Sequence, residues 1–287
     1  MSQLSASESR FVSVEGVRLH YQVHGQDTGG LPVIFTHGGG PGSTAWSNFR
    51  LSAGAFAAGY RCYFLDFAQF GGSDRVPVEG PLFTWHARKL LGFMDALGIR
   101  RAHLINQSFG GGVALRLAAD HPERVGRLIA IGAQPVDQGA LQPLPLFGKH
   151  AATLISDYYL ADGGPSLNKM RKLLQRYELH DDSRLDEENL RLRFAASNHP
   201  GYLQLLHIPG AFGEWENLLP LLHQVQAPTL LCWGLHDWFG SIDVPMMMLN
   251  RLPDGHLHVF GKAAHHVQSE CPDDFNRLAL GFIGADQ

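Results

Sequence analysis

The chain has 287 residues, enough to bury a large core and carry one insertion, and too few for two independent enzymes. With 45% hydrophobic and 17% charged residues, the composition is that of a folded globular protein and excludes a disordered one. A formal net charge of −4 supplies no basic field for nucleic acid or anionic lipid.

The three cysteines, Cys62, Cys232 and Cys271, are odd in number and far apart, which points to reduced thiols in a cytoplasmic protein. The first residues hold no apolar signal-peptide region and no run of 18 apolar residues follows, so neither export nor a membrane span is expected. The sixteen histidines invite a metal centre, but the one His-x-x-x-His spacing, His20 and His24, falls in a β-rich stretch. Four strand residues span roughly 13 Å, too far to share an ion. No metal and no cofactor are expected.

In chain order, Phe11–Val14 and Val17–Val23 are β-rich runs joined at Glu15-Gly16, a hairpin signal. Pro32–Thr36 is a short apolar run typical of a strand buried on both faces. It ends in His37-Gly38-Gly39-Gly40-Pro41-Gly42, where no regular element continues. Arg61–Asp66 is another buried strand, closed by Phe70-Gly71-Gly72-Ser73-Asp74. A helical pattern carrying Leu90, Leu91, Met94 and Leu97 then stops at Gly98. The run Ala102–Gln107 breaks off at Ser108, glycines follow, and a helical pattern begins with Val113, Ala114, Leu115, Leu117 and Ala118. Leu128–Ile131 is the next strand.

After about Pro135 the alternation stops. From Val136 to roughly His207 the pattern is helical, around His150–Leu160, Asn168–Tyr177 and Glu187–Ala196. It resumes with a strand at Thr229–Trp233, a helix over Pro245–Leu252, a last strand at His256–Val259 and a closing helix from Pro272 to about Ile283. Strands alternating with helices imply a mostly parallel sheet flanked by helices, an α/β fold. The expected organisation is a core of residues 1–135 and 208–287 with a helical cap inserted at 136–207.

Strand, serine turn and helix at Asn106-Gln107-Ser108-Phe109-Gly110 make a nucleophile elbow, with Asn106 in place of the usual first glycine. A serine hydroxyl needs a base, and the base needs an orienting acid. In α/β-hydrolases these follow in the order serine, acid, histidine, on loops after late strands. Asp237 lies just past the Thr229–Trp233 strand, and the neighbours His265 and His266 lie past the last strand. Ser108 is therefore the candidate nucleophile, His265 the preferred base and Asp237 its orienting acid. The Phe109 amide and the Gly39 amide are the candidate oxyanion donors, because glycines let backbone N–H groups approach a substrate oxygen.

The stretch from His37 through Trp46-Ser47-Asn48-Phe49 resembles the meta-cleavage product hydrolases, C–C bond hydrolases of bacterial aromatic degradation within the α/β-hydrolase superfamily. Trp233–Phe239 is similar to their acid loop, and His258–Gln268 with Asp274-Phe275-Asn276-Arg277-Leu278 is similar to their histidine loop and last helix. Arg193-Phe194 stands where that family carries an Arg-aromatic pair, and the likeness spans about Gly16 to Ile283. The resemblance implies a 2-hydroxy-6-oxohexa-2,4-dienoate substrate, ketonised and then cleaved beside its distal ketone. It further implies that Arg193, assisted by Asn48, clamps the dienoate carboxylate; the other reading of Arg193 is a solvated charge on the cap. Gly38, Gly40, Gln107, Phe239 and His266 complete the expected substrate contacts, with Leu141–Phe147 beside the distal group. Asn106, Gln107, Phe109 and His266 depart from the family pattern and place the novelty around nucleophile and base. The resemblance also implies a homo-oligomer.

Two other readings share these residues. A carboxylesterase or a proline-type aminopeptidase carries the same glycine loop, and the latter needs a cap carboxylate for a free amine; Asp162, Glu178, Asp181, Asp182 and Glu187 are available. A non-catalytic small-molecule-binding member of the fold would keep its ligand affinity in a Ser108→Ala variant.

Overall fold

The structure, a computed structural model, describes residues 8–133 and 154–285. Eight strands form one sheet in the order β1-β2-β4-β3-β5-β6-β7-β8. They are β1 (Arg10–Val14), β2 (Val17–His24), β3 (Val33–Thr36), β4 (Cys62–Leu65), β5 (Ala102–Gln107), β6 (Val125–Ile131), β7 (Thr229–Gly234) and β8 (Gly255–Phe260). β1 and β2 pair antiparallel, as do β2 and β4, and every pair from β4 through β3 to β8 is parallel. The first hairpin turns at Glu15 and Gly16, both at positive φ, with Val14 opposite Val17. That is the primed turn whose twist suits a two-residue hairpin.

The central strands alternate between two apolar layers. Ile34, Leu104, Leu128, Ala130, Leu231 and Trp233 join one cluster, together with side chains of α2 (Leu82–Ala96) and α3 (Phe109–Asp120). Val33, Phe35, Ile105, Ile129, Ile131 and Cys232 join the other, with side chains of α1 (Ala45–Ala57) and the closing helix Pro272–Ile283. Period-two burial on both faces is what turns these segments into unbroken apolar runs in the sequence.

α1 has no counterpart among the predicted elements. Its signal is a capping box, in which Thr44 accepts from the Ser47 amide while the Ser47 hydroxyl accepts from the Thr44 amide. Behind it, Phe49, Ala53 and Phe56 form a buried stripe at helical spacing.

Between β6 and β7 the described residues form helices at 154–159, Leu167–Leu173, Glu187–Ser197 and Pro200–Leu205. A π-helical turn, Leu174–Glu178, follows the Leu167–Leu173 helix directly. Leu154, Tyr158, Met170, Leu173, Leu190 and Tyr202 make a small apolar cluster of their own there. The segment is stitched to the rest of the chain by backbone bonds, Val78 N–H to Ala211 O at 2.9 Å and Leu82 N–H to Glu214 O at 2.8 Å. The predicted start of the cap at Val136, the whole contact stretch Leu141–Phe147 and the beginning of the His150–Leu160 helix lie outside the described residues. Among the described residues no helix is long and apolar enough to cross a membrane.

Candidate active site

β3 and β5 are neighbours in the sheet, but the chain leaves β3 toward β4 on one side and β5 toward β6 on the other. Divergent crossovers leave a crevice at the carboxyl ends of such strands. The loop His37–Gly42 follows β3 and Ser108 follows β5, so both lie at this crevice.

Ser108 has φ 49° and ψ −112°. For a residue with a side chain this left-handed backbone costs about 1–3 kcal/mol and persists only where the surroundings enforce it. The Ser108 N–H donates to Ile131 O at 2.7 Å, and its carbonyl accepts from the Gly111 and Gly112 amides at 2.9 and 3.2 Å. The Gly110 N–H donates to His37 O at 3.2 Å, and a Cβ on Gly110 would lie 2.7 Å from that oxygen. The turn is thus pressed onto the end of β3, and only glycine fits at the contact.

Asn106, the departure from the elbow pattern, is fully buried and pairs across the sheet: the Thr36 hydroxyl donates to Asn106 Oδ1 at 2.6 Å. The two residues are in register between β3 and β5, so the neighbouring strand satisfies the amide oxygen, while the buried Nδ2 has no hydrogen-bond partner.

His265 and Asp237 meet above the end of β6. His265 Nδ1 lies 2.8 Å from Asp237 Oδ2, and Asp237 Oδ1 accepts from the Phe239 and Gly240 amides at 2.7 and 3.3 Å. An acceptor at Nδ1 fixes the tautomer with the proton there and leaves Nε2 as the basic nitrogen. Gly132, at φ +53°, closes the floor beneath the pair: a Cβ there would sit 2.9 Å from His265 Nδ1 and 3.2 Å from Asp237 Oδ2. Sequence reasoning did not single out this glycine; the signal is its place at the end of an apolar strand, Ile131-Gly132.

The glycine loop is held by its own neighbours. The fully buried His37 accepts the Phe67 N–H on Nε2 at 3.0 Å, so Nδ1 carries the proton and donates to Gly38 O at 2.7 Å. Burial pushes the His37 pKa down, in keeping with this neutral form. Asn48 Oδ1 accepts the Gly38 N–H at 3.0 Å. A Cβ on Gly39 would lie 3.3 Å from Phe109 Cβ, so the two expected oxyanion donors sit on adjoining backbone. The Phe109 amide is the first of α3 and has no partner within the helix.

Ser108 and His265 line one cavity of about 450 Å³. At one end are Gly40, Ser43, Glu178 and His266; Leu82, His86, Phe109, Phe212 and Trp215 also line it and are mostly apolar. Of the expected contacts, Gly39, Gly40, Gln107, Phe109, Phe239 and His266 line the cavity. Gly38, Asn48 and Arg193 do not. Asn48 is turned to Gly38, and Arg193 is fully buried with its guanidinium already engaged. Arg193 Nη1 and Nη2 donate to Glu178 Oε2 and Oε1 at 2.6 and 3.0 Å, and Nε donates to Pro41 O at 3.0 Å. Glu178 thus fills the fork that the expected carboxylate clamp would use, and Glu178 is the member of the pair that faces the cavity. Arg193 is not a solvated cap charge.

Two further residues escaped the sequence reading. Glu178 was only one of five acidic candidates, and its partner is fifteen positions away on another helix. His86 is fully buried beside the Phe109 ring, neither ring nitrogen has a hydrogen-bond partner, and burial lowers its pKa to about 3. Its place in α2 reads as ordinary helix. Among the described residues no group of His, Cys, Asp and Glu is arranged to hold a metal ion.

A family model described as the alpha/beta hydrolase fold matches residues 32–272. A 2-hydroxy-6-oxo-6-phenylhexa-2,4-dienoate hydrolase of Burkholderia cepacia is 35% identical, over 99% of this chain and 99% of its own. A 2-hydroxy-6-oxononadienedioate/2-hydroxy-6-oxononatrienedioate hydrolase of a Pseudomonas species is 34% identical, over 97% of each chain. Among solved structures, a mutant meta-cleavage product hydrolase from Pseudomonas fluorescens, complexed with acetates, superposes with a TM-score of 0.80 at 28% identity, over 98% of this chain and 99% of that one.

Proposed function

Because the chain belongs to the α/β-hydrolase family and, within it, to the meta-cleavage product hydrolases, we propose that it hydrolyses the C–C bond beside a ketone in a 2-hydroxy-6-oxohexa-2,4-dienoate-type ring-cleavage product. The observation that carries this reading is near-full-length identity of about a third to named dienoate hydrolases.

The chemistry follows from the residues. The dienol first moves its hydroxyl proton to C5, giving a 2,6-dioxo form. Ser108, deprotonated by His265 with Asp237 holding the imidazole, attacks the C6 carbonyl. The Gly39 and Phe109 amides receive the oxyanion, a contribution commonly worth about 3–4 kcal/mol per donor. When the C5–C6 bond breaks, its electron pair passes through C3–C4 to the C2 oxygen, which the earlier ketonisation left as an electron sink. His265 returns the proton, and water releases the carboxylic acid, leaving a 2-hydroxypenta-2,4-dienoate. The 136–207 segment acts as the cap that closes the site, and Phe239, packed 4.4 Å from the His265 ring, shields the base. The same reading includes a cytoplasmic location, in keeping with the buried free thiols Cys62 and Cys232, and a homo-oligomer, tested by light scattering of the purified chain.

An aminopeptidase needs a free carboxylate in the cavity. Asp162, Asp181, Asp182 and Glu187 are exposed, and Glu178 is already neutralised by Arg193. The test is a panel of coloured dienoates with different distal groups, followed by loss of visible absorbance. Turnover of one or more members is expected. Brisk hydrolysis of simple aryl esters with no dienoate consumed would contradict the reading.

A further inference from the structure

One end of the cavity carries an ion pair that the hydrolytic steps leave unused. Glu178 ends the π-helical turn Leu174–Glu178, a wide turn of the kind that recurs at functional sites. Both its oxygens face the Arg193 fork at 2.6 and 3.0 Å, and His266 Nε2 lies 3.0 Å from Oε2. A Cβ on Gly40, in the loop that reaches toward the expected oxyanion site, would lie 2.9 Å from Arg193 Nη2 and 3.0 Å from Glu178 Oε1. The pair therefore stands directly behind the glycine loop. Burial pushes the Glu178 carboxyl up, but Arg193 and His266 together pull it well below the ordinary carboxylate range, so it is an anion at neutral pH.

We propose that Glu178 is a specificity-determining residue: it occupies the guanidinium fork of Arg193, so a carboxylate on the substrate reaches that arginine only by displacing it. This rests on the cavity being the substrate site of the proposed hydrolase. A planar guanidinium fork takes one carboxylate in bidentate fashion. A second carboxylate beside Glu178 would set two anions against one cation in a water-poor space, a repulsive element of the kind that sets specificity. Displacement leaves Glu178 on His266 alone, at the loss of two charged hydrogen bonds. The polar end consequently offers no net positive charge to an incoming anion. A ligand that is uncharged there binds about as well as its carboxylate counterpart.

The probes are hexa-2,4-dienoate and hexa-2,4-dienamide, used as inhibitors of aryl-ester hydrolysis by the full chain. In the unmodified protein the acid and the amide should inhibit equally to within about threefold. In Glu178→Gln the acid should improve relative to the amide by about tenfold or more, roughly the 1.4 kcal/mol that separates a filled fork from an available one. An acid that already inhibits the unmodified protein about tenfold better than the amide overturns the proposal, as does a ratio that Glu178→Gln leaves in place. If neither probe inhibits the unmodified protein while the acid inhibits the variant, the proposal stands; if neither inhibits either protein, it falls. Should Glu178→Gln not fold, the acid-to-amide ratio of the unmodified protein decides alone. Because the readout is ester hydrolysis, failure to cleave any dienoate would overturn the proposed function without touching this result.

Discussion

At the scale of single residues, the site is built from groups whose conformations are imposed by neighbours. Ser108 holds a left-handed backbone because the Ile131 carbonyl and the Gly110–His37 contact leave it no other path. His37 looks like a catalytic candidate in any census of histidines, yet both of its ring nitrogens are spent on backbone, one on Gly38 and one on Phe67. Asn106 breaks the elbow pattern in sequence, and in the fold its amide oxygen takes a bond from Thr36 opposite it. Pattern matching could not reveal this, because the partner is seventy positions away. The sharpest prediction at this scale concerns Gly132. Its substitution by alanine would drive a methyl group toward His265 and Asp237, at a φ that alanine resists. Displacements near 1 Å cost on the order of 100-fold in rate. Steady-state kinetics of Gly132→Ala should therefore show a fall of about that size in kcat, with far-ultraviolet circular dichroism unchanged; wild-type kcat would mean that the His265–Asp237 pair tolerates the shift.

Elements carry the second level of information, and here the sequence is most legible where burial is two-sided. β3, β5, β6 and β7 appear as apolar runs because alternate residues enter opposite apolar layers. α1 is harder to see, since polar Ser47, Asn48 and Arg50 are interleaved with its apolar stripe and are themselves buried. Those residues have jobs at the site's edge: Ser47 caps the helix, and Asn48 reaches back to Gly38. Asn48 thus supports the glycine loop, while Trp46 stacks on His24 of β2. The short helix Val267–Glu270 has a similar bracing part. Glu270 Oε1 accepts the Ala264 N–H at 2.6 Å, and Oε2 accepts the His180 and Asp181 amides at 2.7 and 3.3 Å. One buried carboxylate thereby joins the histidine loop to the chain just after the π-helical turn. Glu270→Ala should cost about 1–3 kcal/mol for each buried amide it orphans, read as a lower urea midpoint. A midpoint within error of the wild type would mean that water replaces the carboxylate.

Beside Glu270, two more buried carboxylates, Asp66 and Glu178, tie distant parts of the molecule together. Asp66 takes His20 Nδ1 at 2.8 Å and the Ala45 N–H at 2.9 Å, tying the first hairpin to the start of α1. Glu178 ties the Glu187–Ser197 helix to the histidine loop. Burial alone would raise both pKa values; for Asp66 the bond from His20, and for Glu178 the charge of Arg193 with its hydrogen bonds, outweigh it, so both lie below their ordinary values. Groups with depressed folded-state pKa values contribute stability above their unfolded values, about 4, and lose it as pH falls through the folded ones. Urea midpoints should hold steady from neutrality down to about pH 5, then fall steeply below about pH 4. Glu178→Gln should soften that fall, and an equally steep acid limb in the variant would assign it to other carboxylates. The strands along the chain and the parallel sheet they build were legible from local periodicity, and Ser108, Asp237 and His265 were legible as residues just past the ends of β5, β7 and β8. The Arg193–Glu178 pair was not, because it depends on how the segment after β6 lies against the glycine loop.

On the proposed function, Ser108 and its partners break a carbon–carbon bond. The most direct measurement is product analysis of 2-hydroxy-6-oxo-6-phenylhexa-2,4-dienoate incubated with the protein in ¹⁸O-labelled water. Expected are benzoate carrying one solvent-derived oxygen, together with a 2-hydroxypenta-2,4-dienoate, and neither product from Ser108→Ala. Intact dienoate in the presence of a protein that still hydrolyses aryl esters, or equal product from Ser108→Ala, would contradict that function.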